Sequence, residues 1–177
     1  RCSALRMLYV QSDIADAFER MLCGAMQALV VGPPEAADCD VGPVIDAAAQ
    51  ARISAHIARN KLLFQTSAPE IGYFVAPTIL SVSGISDLHE EIFGPVAAVV
   101  PFDDEAAMLR DVNASPYGLS GSVWTQNLSR ALRVSRAVQS GVLSINSHSS
   151  VHVEAPFGGF KQSGLGRDLG MAAMEGY

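Results

Sequence analysis

Apolar residues recur along this chain with two periods, one typical of strands and one typical of helices. The uninterrupted apolar run at 97–102 predicts a strand buried on both faces, as the strands of parallel sheets are. The other predicted strands cover residues 5–11, 61–65, 74–81, 119–125 and 141–146. Helices are predicted at 14–30, 47–60, 104–114 and 128–138. Short elements that alternate in this way predict an α/β fold with a parallel sheet and right-handed crossovers.

Polar residues that can cap a helix stand at three of the predicted helix starts. We expect these caps at Ser12-Asp13, at Asp46 and at Asp103. The end of the chain is different, because six glycines fall between Gly158 and Gly176 and allow backbone to approach other backbone closely. A short helix is predicted from Asp168 to the end.

The glycine-rich stretch GLGRDLG at 164–170 superficially resembles a dinucleotide fingerprint. Its spacing is wrong, no strand precedes it, and the remaining chain is too short for a βαβ unit. We therefore interpret it as a glycine-rich turn held by Lys161 and Arg167.

The composition is that of a globular protein with one core. Of the 177 residues, 49% are hydrophobic and 17% are charged, which distinguishes the chain from disordered sequences. The formal net charge is −6 and the cationic residues are scattered, so we expect no nucleic-acid partner. The apolar runs are too short for a membrane span, and no signal peptide is visible. We therefore expect one domain over residues 1–177 of a cytoplasmic protein without a membrane partner.

The three cysteines, Cys2, Cys23 and Cys39, form an odd set without a CxxC pair. This pattern favours a reducing compartment and neither a disulfide framework nor a zinc site. Cys2 is the candidate nucleophile, because the nearby cations Arg1 and Arg6 favour the reactive thiolate form. We expect Cys23 to be a packing residue of the first helix and Cys39 to be exposed or half exposed in a loop.

Seven segments, taken in order and spacing, make the whole chain resemble the aldehyde dehydrogenase superfamily. They are RCSALR at 1–6, VGPVID at 41–46, the PT of VAPTIL at 75–80, EEIFGPV at 90–96, YGLSGSVWT at 117–125, SGVLSIN at 140–146 and EAPFGGFKQSGLGRD at 154–168. The resemblance implies the parallel-sheet α/β catalytic domain of aldehyde dehydrogenase type, incomplete at its N-terminal side. Because the chain starts without Met and on the candidate nucleophile, we expect a fragment or a processed chain.

The resemblance also implies a covalent mechanism and a nicotinamide cofactor. Cys2 would attack an aldehyde carbonyl to give a thiohemiacetal, hydride would leave for C4 of NAD or NADP, and water would hydrolyse the resulting thioester. Glu91 would accept hydrogen bonds from the nicotinamide ribose hydroxyls, and Phe93 would pack near that ribose and orient the nicotinamide. Without the resemblance, EEIFGPV is a turn with solvated glutamates before a strand.

By the same resemblance, residues 147–155 line the tunnel through which the aldehyde reaches Cys2. The expected substrate contacts are Ser3, His148, Ser149, Ser150, Val151 and Phe157. His148 and His152 have the spacing of a metal pair on a helix, but this stretch does not have a helical composition, so we expect no metal site. For His56 we expect a surface or hydrogen-bonded side chain rather than a metal ligand.

The family's general-base glutamate, oxyanion-hole asparagine and dinucleotide-binding domain lie upstream of the nucleophile. We therefore expect the isolated chain neither to bind NAD tightly nor to turn over. For the full-length enzyme we expect a homo-oligomer whose substrate is a small-molecule aldehyde.

The substrate prediction depends on which part of the chain is compared. The N-terminal third resembles the pyrroline-5-carboxylate dehydrogenase half of bifunctional proline-utilisation enzymes. The segment HSSVHVEAPFGGFKQSGLGRD at 148–168 resembles general NAD-dependent aldehyde dehydrogenases. Because the tunnel is built from this later segment, we predict a generic aldehyde. Two alternatives stay open: L-glutamate γ-semialdehyde as the substrate, and a non-catalytic truncated relative.

Overall fold

The computed structural model describes residues 1–88, 90–148 and 151–176, except for the side chains of residues 172, 175 and 176. The chain forms two compact units. We call Leu5–Asp104 the sheet unit, and Arg1–Ala4 together with Glu105–Tyr177 the C-terminal unit. The assignment of residues 1–177 to one domain stays a prediction. In the described residues, no helix combines the length and the apolar character that crossing a bilayer requires.

The sheet unit is built around a four-stranded sheet. Its elements are β1 (Met7–Gln11), α1 (Ser12–Gln27), α2 (Ala47–Arg59), β2 (Lys61–Gln65), β3 (Thr78–Ser81) and β4 (Val96–Phe102), with a 3₁₀ turn at Ile85–Leu88. The strand order is β1-β4-β3-β2, and β4 pairs in parallel with both β1 and β3. Edge strand β2 is antiparallel to β3, so the sheet is mixed rather than wholly parallel as predicted. The reason is that residues 66–77 return the chain directly to its neighbour without a crossover helix.

Strand β4 lies at the centre of the core. Ala98 and Val100 belong to a buried cluster that includes Ile53 of α2, whereas Val99 belongs to a second cluster that includes Met26 of α1. Because successive side chains of a strand point to opposite faces, the two clusters cover both faces of β4. The prediction of a doubly buried strand is therefore confirmed.

The C-terminal unit contains shorter elements. They are α3 (Glu105–Ala114), β5 (Tyr117–Gly118), β6 (Ser120–Val123), α4 (Leu128–Ala137), β7 (Val142–Ile145) and β8 (Phe160–Lys161), followed by a 3₁₀ helix at Met171–Gly176. Strands β6 and β7 pair in parallel, with α4 between them in sequence, and β5 pairs antiparallel with β8. The strand predicted at 119–125 is shorter than expected, and at its end the backbone of Thr125 pairs with the side chain of Asn146 instead of with a strand. The helix predicted from Asp168 is a 3₁₀ helix that begins three residues later.

One of the three predicted helix caps is confirmed. The Oδ1 atom of Asp46 accepts a hydrogen bond from the backbone N–H of Ala49 at 2.7 Å, at the start of α2. The cap predicted at Ser12-Asp13 is wrong, because both residues already lie in α1 and the cap position falls on the last residue of β1. The cap predicted at Asp103 is also wrong, because α3 begins at Glu105 and Asp103 lies before the cap position.

Candidate functional site

The two candidate cofactor residues, Glu91 and Phe93, contact the same cation in the sheet unit. The Nε atom of Arg6 donates to Oε1 of Glu91 at 3.2 Å, and the guanidinium carbon of Arg6 lies 4.8 Å from the centre of the Phe93 ring. Parallel pairing explains why Arg6 contacts Glu91 and Phe93. Arg6 directly precedes β1, and the segment 90–95 directly precedes the neighbouring strand β4. A backbone hydrogen bond of 2.9 Å from Ala98 N to the carbonyl of Arg6 continues the pairing to this residue.

The segment that carries Glu91 is fixed to the sheet unit on both sides of that residue. Glu90 accepts a hydrogen bond from His56, whose Nε2 atom lies 2.7 Å from Oε1 of Glu90. Ile92 is buried, and a Cβ atom on Gly94 would lie 2.6 Å from Cδ1 of Ile53, so the segment fits closely against α2. His56 is only 3% exposed and is hydrogen-bonded to Glu90, so of the two expected placements the hydrogen-bonded one is confirmed and the surface one is wrong. The turn is therefore held by specific contacts and is not a simple solvated turn.

Cys2 lies in the C-terminal unit, in a turn that a 3.2 Å hydrogen bond from the backbone N–H of Ala4 to the carbonyl of Arg1 closes. Its thiol is free and exposed, whereas Cys23 and Cys39 are half-buried. The thiol of Cys39 donates to the carbonyl of Gly32 at 3.1 Å. The interpretation of Cys39 as half exposed agrees with this placement. Cys23 belongs to neither core cluster of the described residues, so its interpretation as a packing residue stays a prediction.

A cavity of about 250 Å³ lies within the C-terminal unit, between the start of β7 and residues 151–157. Val151 and Phe157, both predicted substrate contacts, line it, and so does His152. His148 is exposed and Ser3 is half-buried, and neither lines this cavity. The predicted contacts at residues 149 and 150 lie outside the described residues.

Backbone pairing holds Phe157 of this cavity, and two cations hold the glycine-rich segment that follows it. Phe157 and Asp168 exchange two backbone hydrogen bonds of 2.7 and 2.8 Å. The Nη1 atom of Arg167 donates to the carbonyls of Gly159 and Gly166, each at 2.8 Å. The Nζ atom of Lys161 donates to two further carbonyls, those of residues 113 and 115, at 2.6 and 2.9 Å. The interpretation of this segment as a turn held by Lys161 and Arg167 is confirmed.

Among the described residues, neither a cluster of metal ligands nor the clearest shift of pKa lies at the candidate site. In the described residues, no group of three or more His, Cys, Asp or Glu side chains is placed to hold a metal ion. The clearest shift of pKa is that of Arg133, which hydrogen bonding to Glu105 raises, and this pair lies between α3 and α4. The candidate chemistry therefore depends on Cys2, on Glu91 with Phe93, and on the cavity of the C-terminal unit.

The α/β fold and the ordered motifs define the class of protein. The chain belongs to the aldehyde dehydrogenase family, which it matches over residues 1–177. The resemblance found in the sequence and the α/β fold are both confirmed.

Relatives in sequence and in structure agree with this assignment. The chain is 36% identical over 187 aligned residues to betaine aldehyde dehydrogenase of Rhizobium leguminosarum bv. trifolii, covering 99% of this chain and 38% of that protein. It is 38% identical over 184 residues to an aldehyde dehydrogenase of Emericella nidulans, covering 99% and 37%. It superposes with a TM-score of 0.92 and 32% identity on betaine aldehyde dehydrogenase from Staphylococcus aureus in complex with NAD+, covering 100% of this chain and 38% of that one. The chain therefore spans less than two fifths of the length of these relatives.

Proposed function

We propose that residues 1–177 supply the catalytic cysteine and part of the cofactor site of an enzyme that oxidises an aldehyde to a carboxylic acid with NAD or NADP. Family membership supports this proposal, as do relatives described as aldehyde dehydrogenases and one solved in complex with NAD+. The observation that carries it is the exposed thiol of Cys2, which is more accessible than the thiols of Cys23 and Cys39.

The chemistry proposed for Cys2 has three steps. Its thiolate adds to the carbonyl carbon, so that a C–S bond forms and the carbonyl electron pair moves to oxygen. The aldehyde hydrogen then leaves with its bonding electrons, and the carbon becomes that of a thioester. Water attacks this carbon, the C–S bond breaks, and the products are the carboxylic acid, the Cys2 thiolate and a proton. When bound, NAD or NADP would supply the hydride acceptor that balances the oxidation.

The proposed cofactor residues have the chemistry that a nicotinamide riboside requires. A carboxylate only accepts hydrogen bonds, so Glu91 suits the ribose hydroxyls, which donate them. Its Oε2 atom accepts no hydrogen bond from the described residues, and only Oε1 is engaged, by Arg6. Phe93 is 47% exposed, so its ring offers apolar surface against which a sugar or a nicotinamide can pack.

The proposed substrate site is the cavity beside Val151 and Phe157. Its volume of about 250 Å³ suits a small aldehyde better than a bulky one. Ser3, which follows Cys2 in sequence, and His148 are proposed as additional substrate contacts. The substrate remains a generic aldehyde, because none of these residues supplies a recognition group for one particular side chain.

Replacement of the proposed nucleophile tests this function. In the natural polypeptide that contains residues 1–177, Cys2→Ala is expected to lower aldehyde-dependent NADH formation by at least about 10⁴-fold, because no other group can form the thioester. Cys39→Ala is the matched control and should retain activity, since its thiol donates to a backbone carbonyl. Activity that survives in the Cys2→Ala variant contradicts the proposal.

Thiol labelling gives a second measurement that needs no turnover. In the 177-residue chain, iodoacetamide should modify Cys2 faster than the half-buried Cys23 and Cys39, with peptide mass spectrometry as the readout. Preincubation with an excess of a small aldehyde should slow the labelling of Cys2 alone, because a thiohemiacetal has no free thiolate. Equal labelling of all three cysteines, or equal protection, counts against a nucleophilic Cys2.

A further inference from the structure

Arg6 is the one side chain for which the structure gives contacts to both Glu91 and Phe93. It donates to Oε1 of Glu91 from Nε at 3.2 Å, and its guanidinium group stacks over the Phe93 ring at 4.8 Å. The side chains of Arg6 and Glu91 are only 21% and 31% exposed. Salt screens a partly buried ion pair less than an exposed pair, and the geometry of the partly buried pair is better defined.

The chemistry of arginine explains why one side chain can orient two such different neighbours. The guanidinium group is planar, so its edge donates hydrogen bonds to a carboxylate while its face stacks on an aromatic ring. In Arg6, the Nε atom donates to Glu91 and the guanidinium carbon lies over the Phe93 ring. Lysine carries the same charge, but its ammonium group has no plane and cannot fix both directions.

The pairing leaves the outer side of both residues available. Only Oε1 of Glu91 is engaged, and Oε2 accepts nothing from the residues that the structure describes. The Phe93 ring remains 47% exposed although Arg6 lies over it. Arg6 therefore contacts both side chains and leaves Oε2 of Glu91 and about half of the Phe93 surface uncovered.

We propose that Arg6 is a positioning residue, which orients the carboxylate of Glu91 and the ring of Phe93 toward the ribose and nicotinamide of the bound dinucleotide. This inference rests on the proposed function of Glu91 and Phe93. The expected cost of losing Arg6 is weaker and less well oriented cofactor binding, with aldehyde binding unaffected.

The test compares five variants of the natural polypeptide that contains residues 1–177. Arg6→Gln removes the charge and the donor geometry, and the fold should survive because the backbone hydrogen bond from Ala98 to residue 6 does not involve the side chain. We expect the Kd for NAD+, measured by calorimetry, to rise about 10- to 100-fold, the range for losing a hydrogen bond to a charged group. Arg6→Lys should give an intermediate rise. Arg52→Gln, on the exposed side of α2, is the matched control and should bind NAD+ as the wild type does.

Glu91→Gln separates this inference from the proposed function. If Glu91→Gln and Arg6→Gln both weaken NAD+ binding, and the double variant is no weaker than the worse single variant, Arg6 acts through Glu91. If Glu91→Gln weakens binding and Arg6→Gln does not, the positioning role is wrong and the proposed cofactor site stands. If neither variant changes the Kd, both proposals are wrong.

A purely structural role for Arg6 predicts a different pattern. It would lower the thermal midpoint of the cofactor-free protein and raise the KM values for aldehyde and for NAD+ together. The positioning role predicts that the KM for NAD+ rises while the KM for aldehyde and the thermal midpoint stay close to those of the Arg52→Gln control. Equal effects on both substrates would overturn the inference.

Discussion

The two units of this chain are stabilised in different ways. In the described residues, every buried apolar side chain except Ala131 and Val134 lies in the sheet unit, where two clusters cover the faces of β4. The C-terminal unit instead relies on side chains that donate to backbone carbonyls and on glycines that let backbone segments touch. Hydrophobic burial is non-directional, whereas hydrogen bonds to carbonyls need particular atoms at particular distances.

Both units also contain ion pairs, so ion pairing by itself does not distinguish them. In the C-terminal unit, Nε and Nη2 of Arg133 donate to the two carboxylate oxygens of Glu105 at 2.7 and 2.9 Å, and this hydrogen bonding raises the pKa of Arg133. A raised pKa of a cation means that its contribution is lost only when the pH rises above that value. The guanidinium group of Arg133 therefore stays charged at every ordinary pH. The two units should respond to opposite kinds of substitution: the sheet unit to lost volume, and the C-terminal unit to added volume or a lost donor.

The largest effect is expected from lost volume in the sheet unit. Leu80 of β3 is fully buried in the cluster that contains Ile53 of α2. Leu80→Ala should lower the free energy of unfolding by about 2–5 kcal/mol. Urea denaturation of the 177-residue chain, followed by far-UV circular dichroism, measures this loss. Leu62→Ala is the control, because Leu62 lies on neighbouring β2 and is 50% exposed, and its loss should be clearly smaller. Equal losses at the two positions would mean that burial does not distinguish them.

The next effect is expected from added volume in the C-terminal unit. A Cβ atom on Gly141 would overlap the carbonyl oxygen of Gly158, which is backbone and cannot turn aside. Gly141→Ala should therefore destabilise this unit by about 1–3 kcal/mol. The chain has a single tryptophan, Trp124, which lies in this unit, so its emission during urea denaturation reports the loss.

Gly166→Ala is the matched control for that experiment. Nothing lies within 4 Å of a Cβ atom placed there, and Gly166 has no positive φ angle. Alanine restricts the unfolded chain more than glycine does, so Gly166→Ala should be neutral or stabilising by up to about 1 kcal/mol. The opposite order of the two variants would show that close backbone packing does not stabilise this unit.

The contrast between the units also explains what could be predicted from the sequence. Strand β4 and the cap at Asp46 were predictable because each is specified by a few neighbouring residues. The pairing of Arg6 with Glu91 was not predicted, because it depends on β1 lying beside β4. The local pattern of apolar residues predicts strands but does not determine which strands are neighbours in the sheet. The wrong cap at Ser12-Asp13 has a related cause, since α1 follows β1 without an intervening residue.

The sequence likewise identified some residues of the candidate site and missed others. The resemblance to the aldehyde dehydrogenase family singled out Cys2, Glu91 and Phe93, and their catalytic and cofactor roles stay predictions. The hydrogen bond between His56 and Glu90 brings together residues 34 apart in sequence, and only the tertiary packing of α2 against the segment before β4 reveals it. Sequence patterns of this kind identify chemical groups more readily than the side chains that orient them.

The smallest effect is expected from a lost donor in the C-terminal unit. Lys161→Met keeps the length and apolar stem of the side chain but leaves the carbonyls of Asn113 and Ser115 without the ammonium that now donates to them. Leaving such acceptors unpaired costs about 1–3 kcal/mol, at the lower end where water can reach them. Position 161 has φ of 54°, and this strain is the same for Lys and Met, so it cancels in the comparison. Trp124 emission during urea denaturation measures the change.

Lys61→Met completes the comparison, because Lys61 and Lys161 are the two lysines of the chain. Lys61 is exposed on edge strand β2 of the sheet unit, so its replacement should change the free energy of unfolding by less than about 0.5 kcal/mol. Hydrogen exchange at the amide of Gln162, which donates to the carbonyl of Pro116 at 3.0 Å, should become faster in Lys161→Met and not in Lys61→Met. Unchanged exchange at Gln162 in both variants would mean that β5 and β8 are held together without the lysine. Side-chain donors to backbone carbonyls would then contribute less to the stability of the C-terminal unit than its contacts indicate.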